Sequence, residues 1–320
     1  MKTKLLLTLF LTASPALLHA QGGSLTPPAG PILPTMKSLD VVEARTPLVA
    51  GAPGVTVDGV TGAITITAPG SYYLTGNLTT TGTASCINVG NHTCTIDLNG
   101  FIVSRTTGTE SGSAGILIAG ASGQKVMIRN GHIRGGGTSA GFATAILKSG
   151  GDLGSVHVEN VHCANVRNGI VLNYLDGRNT VRNCSVENSG GEGIRAEVVT
   201  GCVVNNTVLH GIFGDIITEC TVKQTLPEGT RHGIIGGLTN QGRGIVNNCS
   251  VWVQNGTGIR ARTVTASMAY SSASGTAILA DLVTNSVAES FAGVAINATT
   301  AVGCHVVSGS VSITNKYNMP

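Results

Sequence analysis

Val181-Arg-Asn-Cys-Ser-Val, Ile217-Thr-Glu-Cys-Thr-Val and Val246-Asn-Asn-Cys-Ser-Val are copies of one phrase, and Val158-Glu-Asn-Val and Val203-Val-Asn-Asn-Thr-Val are looser copies of it. Ahead of these phrases a Gly or other small residue introduces an isoleucine: Ile170, Ile194, Ile212, Ile234, Ile259, Ile278 and Ile296. The steps between them are 24, 18, 22, 25, 19 and 18 residues. A unit with this period is too small to bury its apolar side alone, so copies stack and each covers the next. The pattern predicts a solenoid of short strands.

Working outward, Ile64-Thr-Ile-Thr, Cys86-Ile-Asn-Val and Thr95-Ile-Asp-Leu alternate apolar and polar residues, the mark of half-buried strands. Insertions over 106–114 and 135–141 lengthen the early turns. An asparagine recurs at one register, at Asn99, Asn130, Asn160, Asn183, Asn205, Asn248 and Asn285, with Glu219 once in its place. Asn accepts the left-handed geometry of a sharp turn, and stacked amides bond along a column. Cys184, Cys220 and Cys249 share the next slot, with Asn206 between the first two. Cys184 and Cys220 are then two turns apart, about 10 Å, beyond the ~7 Å reach of a disulfide. They read as small buried hydrophobes. Cys86 and Cys94, on either side of Gly90-Asn91, are the one pair left open for a bridge.

Residues 1–20, with Lys2 and Lys4 before the apolar run Leu5 to Leu18 and Ala20 at the exit, read as a secretory signal. The expected location is extracellular, periplasmic or cell-surface. No later stretch is long and apolar enough to span a bilayer. Residues 21–60 hold Pro27, Pro28, Pro31, Pro34, Pro47 and Pro53 and read as a linker and cap, with a helical turn or two over 36–44. Residues 61–320 form the repeat domain. Without the signal the chain has 17 Lys and Arg (19 less Lys2 and Lys4) against 16 Asp and Glu, so it lacks the basic footprint of a nucleic-acid binder.

Pro69-Gly-Ser-Tyr-Tyr-Leu-Thr-Gly-Asn-Leu and Ile96-Asp-Leu-Asn-Gly-Phe, together with the short stacked strands and the Asn ladder, resemble right-handed parallel β-helix proteins of the pectate-lyase-like superfamily. More narrowly, the chain resembles uncharacterised secreted bacterial β-helix repeat proteins. The resemblance implies an all-β, single-stranded parallel β-helix of about eleven rungs with an N-terminal cap. It also implies carbohydrate chemistry on outward-facing strand residues, although this scaffold carries lyases, hydrolases and plain binding modules alike. The catalytic motifs of polygalacturonases are missing: there is no Asp-Asp pair, and Gly131-His-Ile, Leu209-His-Gly and Arg231-His-Gly replace Gly-His-Gly. In Val251-Trp-Val-Gln-Asn, Gln254 and Asn255 stand where a pectate lyase has Asp-His.

The repeat itself offers candidates. If each isoleucine points inward, so does the residue two later, and the residues between and beyond face solvent. One outward column then holds Arg195, Phe213, Ile235, Arg260 and Leu279; the next holds Asn173, Glu197, Asp215, Gly237, Arg262 and Asp281. Glu197 and Asp215 fall one turn apart, where two carboxylates make an acid/base pair or part of a calcium site, with Arg195 placed to hold a uronate. Calcium needs six to eight oxygens, more than these two supply. A plain surface salt ladder, Arg195 with Glu197 and Arg262 with Asp281, is the alternative. Trp252, between Val251 and Val253, faces outward as a platform for a sugar ring. Arg260, Arg262, Asp281 and Trp252 are the expected ligand-binding residues. No metal-ligand set is assigned; His132 and His162, which share a slot, fall short of the three or four ligands zinc requires. The expected partner is an extracellular polysaccharide or cell-surface glycan. Binding without assignable catalysis, lyase or hydrolase action on an acidic glycan, and a structural or adhesive role all remain open.

Overall fold

The computed structural model describes residues 45–105, 111–119, 123–137, 141–150, 154–172, 179–224, 231–237 and 244–319. The expected signal segment, the Pro-rich stretch to residue 44 with its expected helical turn, and Asn173 lie outside them. Among the described residues there is no helix. Twenty-nine strands join in one sheet, and their pairings are parallel except that of Val55–Val57 with Ile64–Ile66.

Pairing follows three interleaved ladders. In the first, Ile64, Ile87, Ile116, Ile146, Ile170, Ile194, Ile212, Ile234, Ile259, Ile278, Ile296 and Val311 stand in a single register. The second aligns Tyr72, Ile96, Ile128, Val158, Val181, Val199, Ile217, Val246, Val264, Val283 and Ala301. In the third, Val103, Ile133, Cys163, Val186, Val204, Val222, Val251, Ala269, Ala288 and Val306 do the same. These columns are buried almost throughout and make one continuous core. Burying such a side chain contributes about 1.5–3 kcal/mol, so the ladder members carry the stability. Val311, with no strand among the described residues stacked beyond it, is 39% exposed.

Small residues precede the ladder isoleucines because the chain bends there against its neighbours. A Cβ on Gly211 would lie 2.4 Å from Val222 Cγ1 and 2.5 Å from the Gly233 oxygen. Between ladders the chain turns through left-handed residues, among them Asn99, Asn130, Asn160, Asn183, Glu219, Asn248 and Asn285. Asn205 is not one of them. Gly201, at φ 64°, fills that turn, because glycine needs no side chain to reach the geometry. The following slot is therefore Cys184, Cys202, Cys220, Cys249, and Asn206 belongs to a second amide ladder with Asn165 and Asn188. In that ladder Asn206 Nδ2 donates to Asn188 Oδ1 at 3.3 Å, and Asn188 Nδ2 to Asn165 Oδ1 at 3.4 Å.

All eight cysteines are buried and free. The open pair is unbridged: Cys86 sits beside the first ladder and shares a hydrogen bond with Thr80 Oγ1 at 2.6 Å, whereas Cys94 opens a second-ladder strand between Gly70 and Val126. Burial pushes the Cys94 and Cys163 thiols up to about 12.

Candidate functional site

Where a ladder strand runs straight, alternation places side chains as expected; at the corners it lapses. Glu197 lies at such a corner. Its carbonyl accepts the N–H groups of Asp215 and Ile216, both at 2.9 Å, so Glu197 and Asp215 are neighbours on adjacent segments of the sheet. Asp215 is exposed, but the Glu197 side chain is 2% exposed and turned inward. Its Oε2 accepts the Asn179 N–H at 3.0 Å and its Oε1 accepts Asn179 Nδ2 at 3.2 Å. The expected outward carboxylate pair is thus not formed: donors inside the corner take up one of its members. Burial raises the Glu197 carboxyl above its ordinary range, opposed by hydrogen bonds from its own backbone and from Asn179 and by the charge of Lys148.

Arg195 does not pair with Glu197 either. Its guanidinium bonds the carboxylate of Glu192 and lies over the ring of Phe213, 5.2 Å from the centroid. Phe213 and Ile235, expected to face solvent, are buried in a small cluster of their own apart from the main core. They cover each other, and Arg195 roofs the ring. Arg260 continues this column beyond Ile235 and is half-buried. Arg262 and Asp281 are exposed and line one open depression of about 790 Å³ with Thr263, Thr299 and Thr300, without forming an ion pair with each other.

Two residues before the first-ladder isoleucines runs a column the repeat phrases did not single out: Asn168, Glu192, His210, His232 and Thr257. The His210 and His232 rings stack with centroids 5.3 Å apart and planes at 16°, and His210 meets Phe213 at 6.3 Å. Burial pushes both imidazoles down. His232 falls to about 4, helped by the charges of His210 and Arg260; at His210 the Glu192 carboxylate opposes the shift and Arg195 adds to it. Beside this column Asn168, Arg167, Glu192, Arg195 and Leu209 line a groove of about 380 Å³. The groove offers a carboxylate and cationic guanidinium groups, and the His210 imidazole follows Glu192 in the adjoining column, so the components of acid/base work on an anionic substrate are near one another. The signal was in the sequence: Glu192-Gly-Ile, His210-Gly-Ile and His232-Gly-Ile share one offset.

On the third ladder Trp252 is half-buried between the buried Val251 and Val253. It stacks on Tyr270 with centroids 5.9 Å apart and planes at 11°, and the column runs Asn205, Lys223, Trp252, Tyr270, Glu289. Tyr270 is the partner that a search for single exposed aromatics misses. Elsewhere His132 and His162 face each other edge-on at 5.8 Å, and His162 Nδ1 shares a hydrogen bond with Ser185 Oγ at 2.5 Å. Among the described residues no group of three or more His, Cys, Asp or Glu side chains is placed to hold a metal ion. No helix among them is long and apolar enough to cross a membrane. Comparison with models of protein families, with curated proteins and with solved structures finds no match to this chain.

Proposed function

We propose that this chain is a secreted right-handed parallel β-helix of about eleven rungs, of the pectate-lyase-like kind, that binds an extracellular polysaccharide on its outward columns. The in-register ladders support the architecture, each turn adding one segment to each. The stacked pair Trp252 and Tyr270 carries the binding reading. Aromatic side chains combine a large apolar body with a polar edge, and the C–H faces of sugar rings are their natural counterpart. Lys223 and Glu289, flanking the pair in register, supply hydrogen bonds to hydroxyls. Trp252 is the chain's single tryptophan, so its fluorescence reports from the site alone. Titration with neutral and uronic polysaccharides should change that emission in parallel with retention on the same glycan; no change and no retention across the panel overturns the proposal.

A second reading, cleavage of an acidic glycan, is favoured by the groove that holds Glu192 and Arg195, with His210 in the next position of the Glu192 column. New reducing ends or unsaturated products that vanish in Glu192→Ala would establish it. In that case Arg195 binds the uronate, and the acid/base roles pass from Glu197 and Asp215 to Glu192 and His210.

A further inference from the structure

Lys148 occupies a core position. It stands in register between Ile118 and Leu172, both fully buried, and is itself 2% exposed. Its Nζ donates to the Gly154 oxygen at 2.6 Å and lies 3.5 Å from Oδ1 of Asn179. Asn179 is also 2% exposed, and the same Oδ1 accepts the N–H of Val156 at 2.9 Å. Glu197 grips the amide from its other side, Oε1 to Nδ2 at 3.2 Å. An amine, a carboxamide whose oxygen is held by a fixed N–H, and a carboxylate on the amide nitrogen are thus enclosed together inside the fold.

We propose that Lys148 and Asn179 join in an intramolecular isopeptide bond, with Glu197 as the proton carrier. The Lys148 ammonium passes a proton to Glu197, and the free Nζ electron pair attacks Asn179 Cγ. Negative charge gathers on Oδ1, where the Val156 N–H stabilises it as an oxyanion-hole donor does. Glu197 then delivers its proton to Nδ2, the Cγ–Nδ2 bond breaks, and the second amine proton follows the departing nitrogen. One Nζ–Cγ amide replaces one carboxamide, an ammonium ion leaves, and Glu197 ends as a carboxylate. Nothing is oxidised or reduced. Enclosure contributes in two ways: Lys148 Nζ is held 3.5 Å from the oxygen of the carboxamide it attacks, which lowers the entropic cost of meeting, and little water competes. Burial, which raises the Glu197 carboxyl, suits it to hold the proton in transit. The bond welds the ladder segment ending at Lys148 to the second-ladder strand that opens after Asn179, across a stack otherwise held by noncovalent contacts.

The test is mass spectrometry of the full chain, denatured and digested with trypsin. The expected product is a branched species in which Gly135–Arg167, uncut at Lys148, is joined to Asn179–Arg182, lighter than the sum of the two by one ammonia. In Glu197→Gln that species should fall at least tenfold, with both peptides recovered unlinked. Complete cleavage at Lys148 and an unmodified Asn179 peptide from the wild-type protein overturn the proposal without reliance on any variant. A branched species that persists undiminished in Glu197→Gln overturns the assigned role of the carboxylate.

Discussion

The N–H of Asp215 bonds the carbonyl of Glu197 at 2.9 Å, yet the two side chains end in opposite surroundings, one in solvent and the other enclosed with Asn179 and Lys148. Backbone adjacency across a parallel ladder sets the neighbour of each residue; at a corner it does not set the side. Two residues that share a column in the repeat therefore play unlike roles.

Their substitutions should separate accordingly. Glu197→Ala removes the acceptor of two Asn179 donors and the counter-charge of a buried lysine, a loss on the order of 3 kcal/mol. It also removes the proton carrier of the proposed cross-link. Asp215→Ala, at an exposed site, should stay within about 1 kcal/mol. Urea denaturation of the two variants checks both values, and equal losses would contradict this division of roles.

Acid should weaken the fold through the stacked histidines. His232 titrates at about 4 in the folded chain against 6.5 for the free side chain, so between these values the unfolded state binds more protons. Its contribution is fully present above pH 6.5 and is lost as pH falls through about 4. His210, shifted in the same direction, adds to the slope. The groups that face His232 are His210, Arg260 and Thr257, and none is an acid that would hold the imidazolium. His232→Gln should flatten the fall of the denaturation midpoint between pH 7 and 4; an unchanged slope would remove His232 as its source.

Most of the fold could be read ahead of the structure because its strictest positions are also the most repetitive. Each isoleucine from Ile170 to Ile296 falls in register with the next, since an inward slot between stacked strands admits little else. The turns were less legible. Asn and Gly satisfy one left-handed position equally, so Gly201 hid the true alignment and Asn205 took its place. The site was least legible of all, because Glu197 is oriented by Asn179 and Lys148, which no repeat phrase links to it. Lys148 did carry a signal, as a charge two residues after a ladder isoleucine where Ile118 and Leu172 stand in the neighbouring turns.

The two kinds of glycine should respond oppositely to substitution. Gly211→Ala drives a Cβ into the Val222 side chain and the backbone oxygen of Gly233, at a cost of about 1–3 kcal/mol. Gly201→Asn places a side chain that favours left-handed φ on a turn already at 64°; its Cβ would lie 2.6 Å from Asn183 Oδ1, the far end of a side chain that can rotate aside. It should be neutral or stabilising by up to about 1 kcal/mol. Thermal melts of the two variants test the contrast, and a comparable loss in both would refute the alignment of Gly201 with Asn183 and Asn248.

The aromatic pair gives the sharpest test of glycan binding. Trp252 packs its buried side against the strand and its ring against Tyr270, so Tyr270→Ala leaves the tryptophan in place but strips its stacking partner. If the two rings act as one platform, each single substitution should weaken binding of the glycan that quenches Trp252 by about tenfold, and the double substitution by little more, since neither ring serves alone. Such non-additivity separates a shared platform from two independent contacts. Retention measured on immobilised glycan extends the comparison to Trp252→Ala, which has no tryptophan emission, and Arg262→Ala serves as the control at the other expected binding surface. Loss of retention in Arg262→Ala with full retention in Trp252→Ala would move the binding face from the third-ladder column to the depression shared by Arg262 and Asp281.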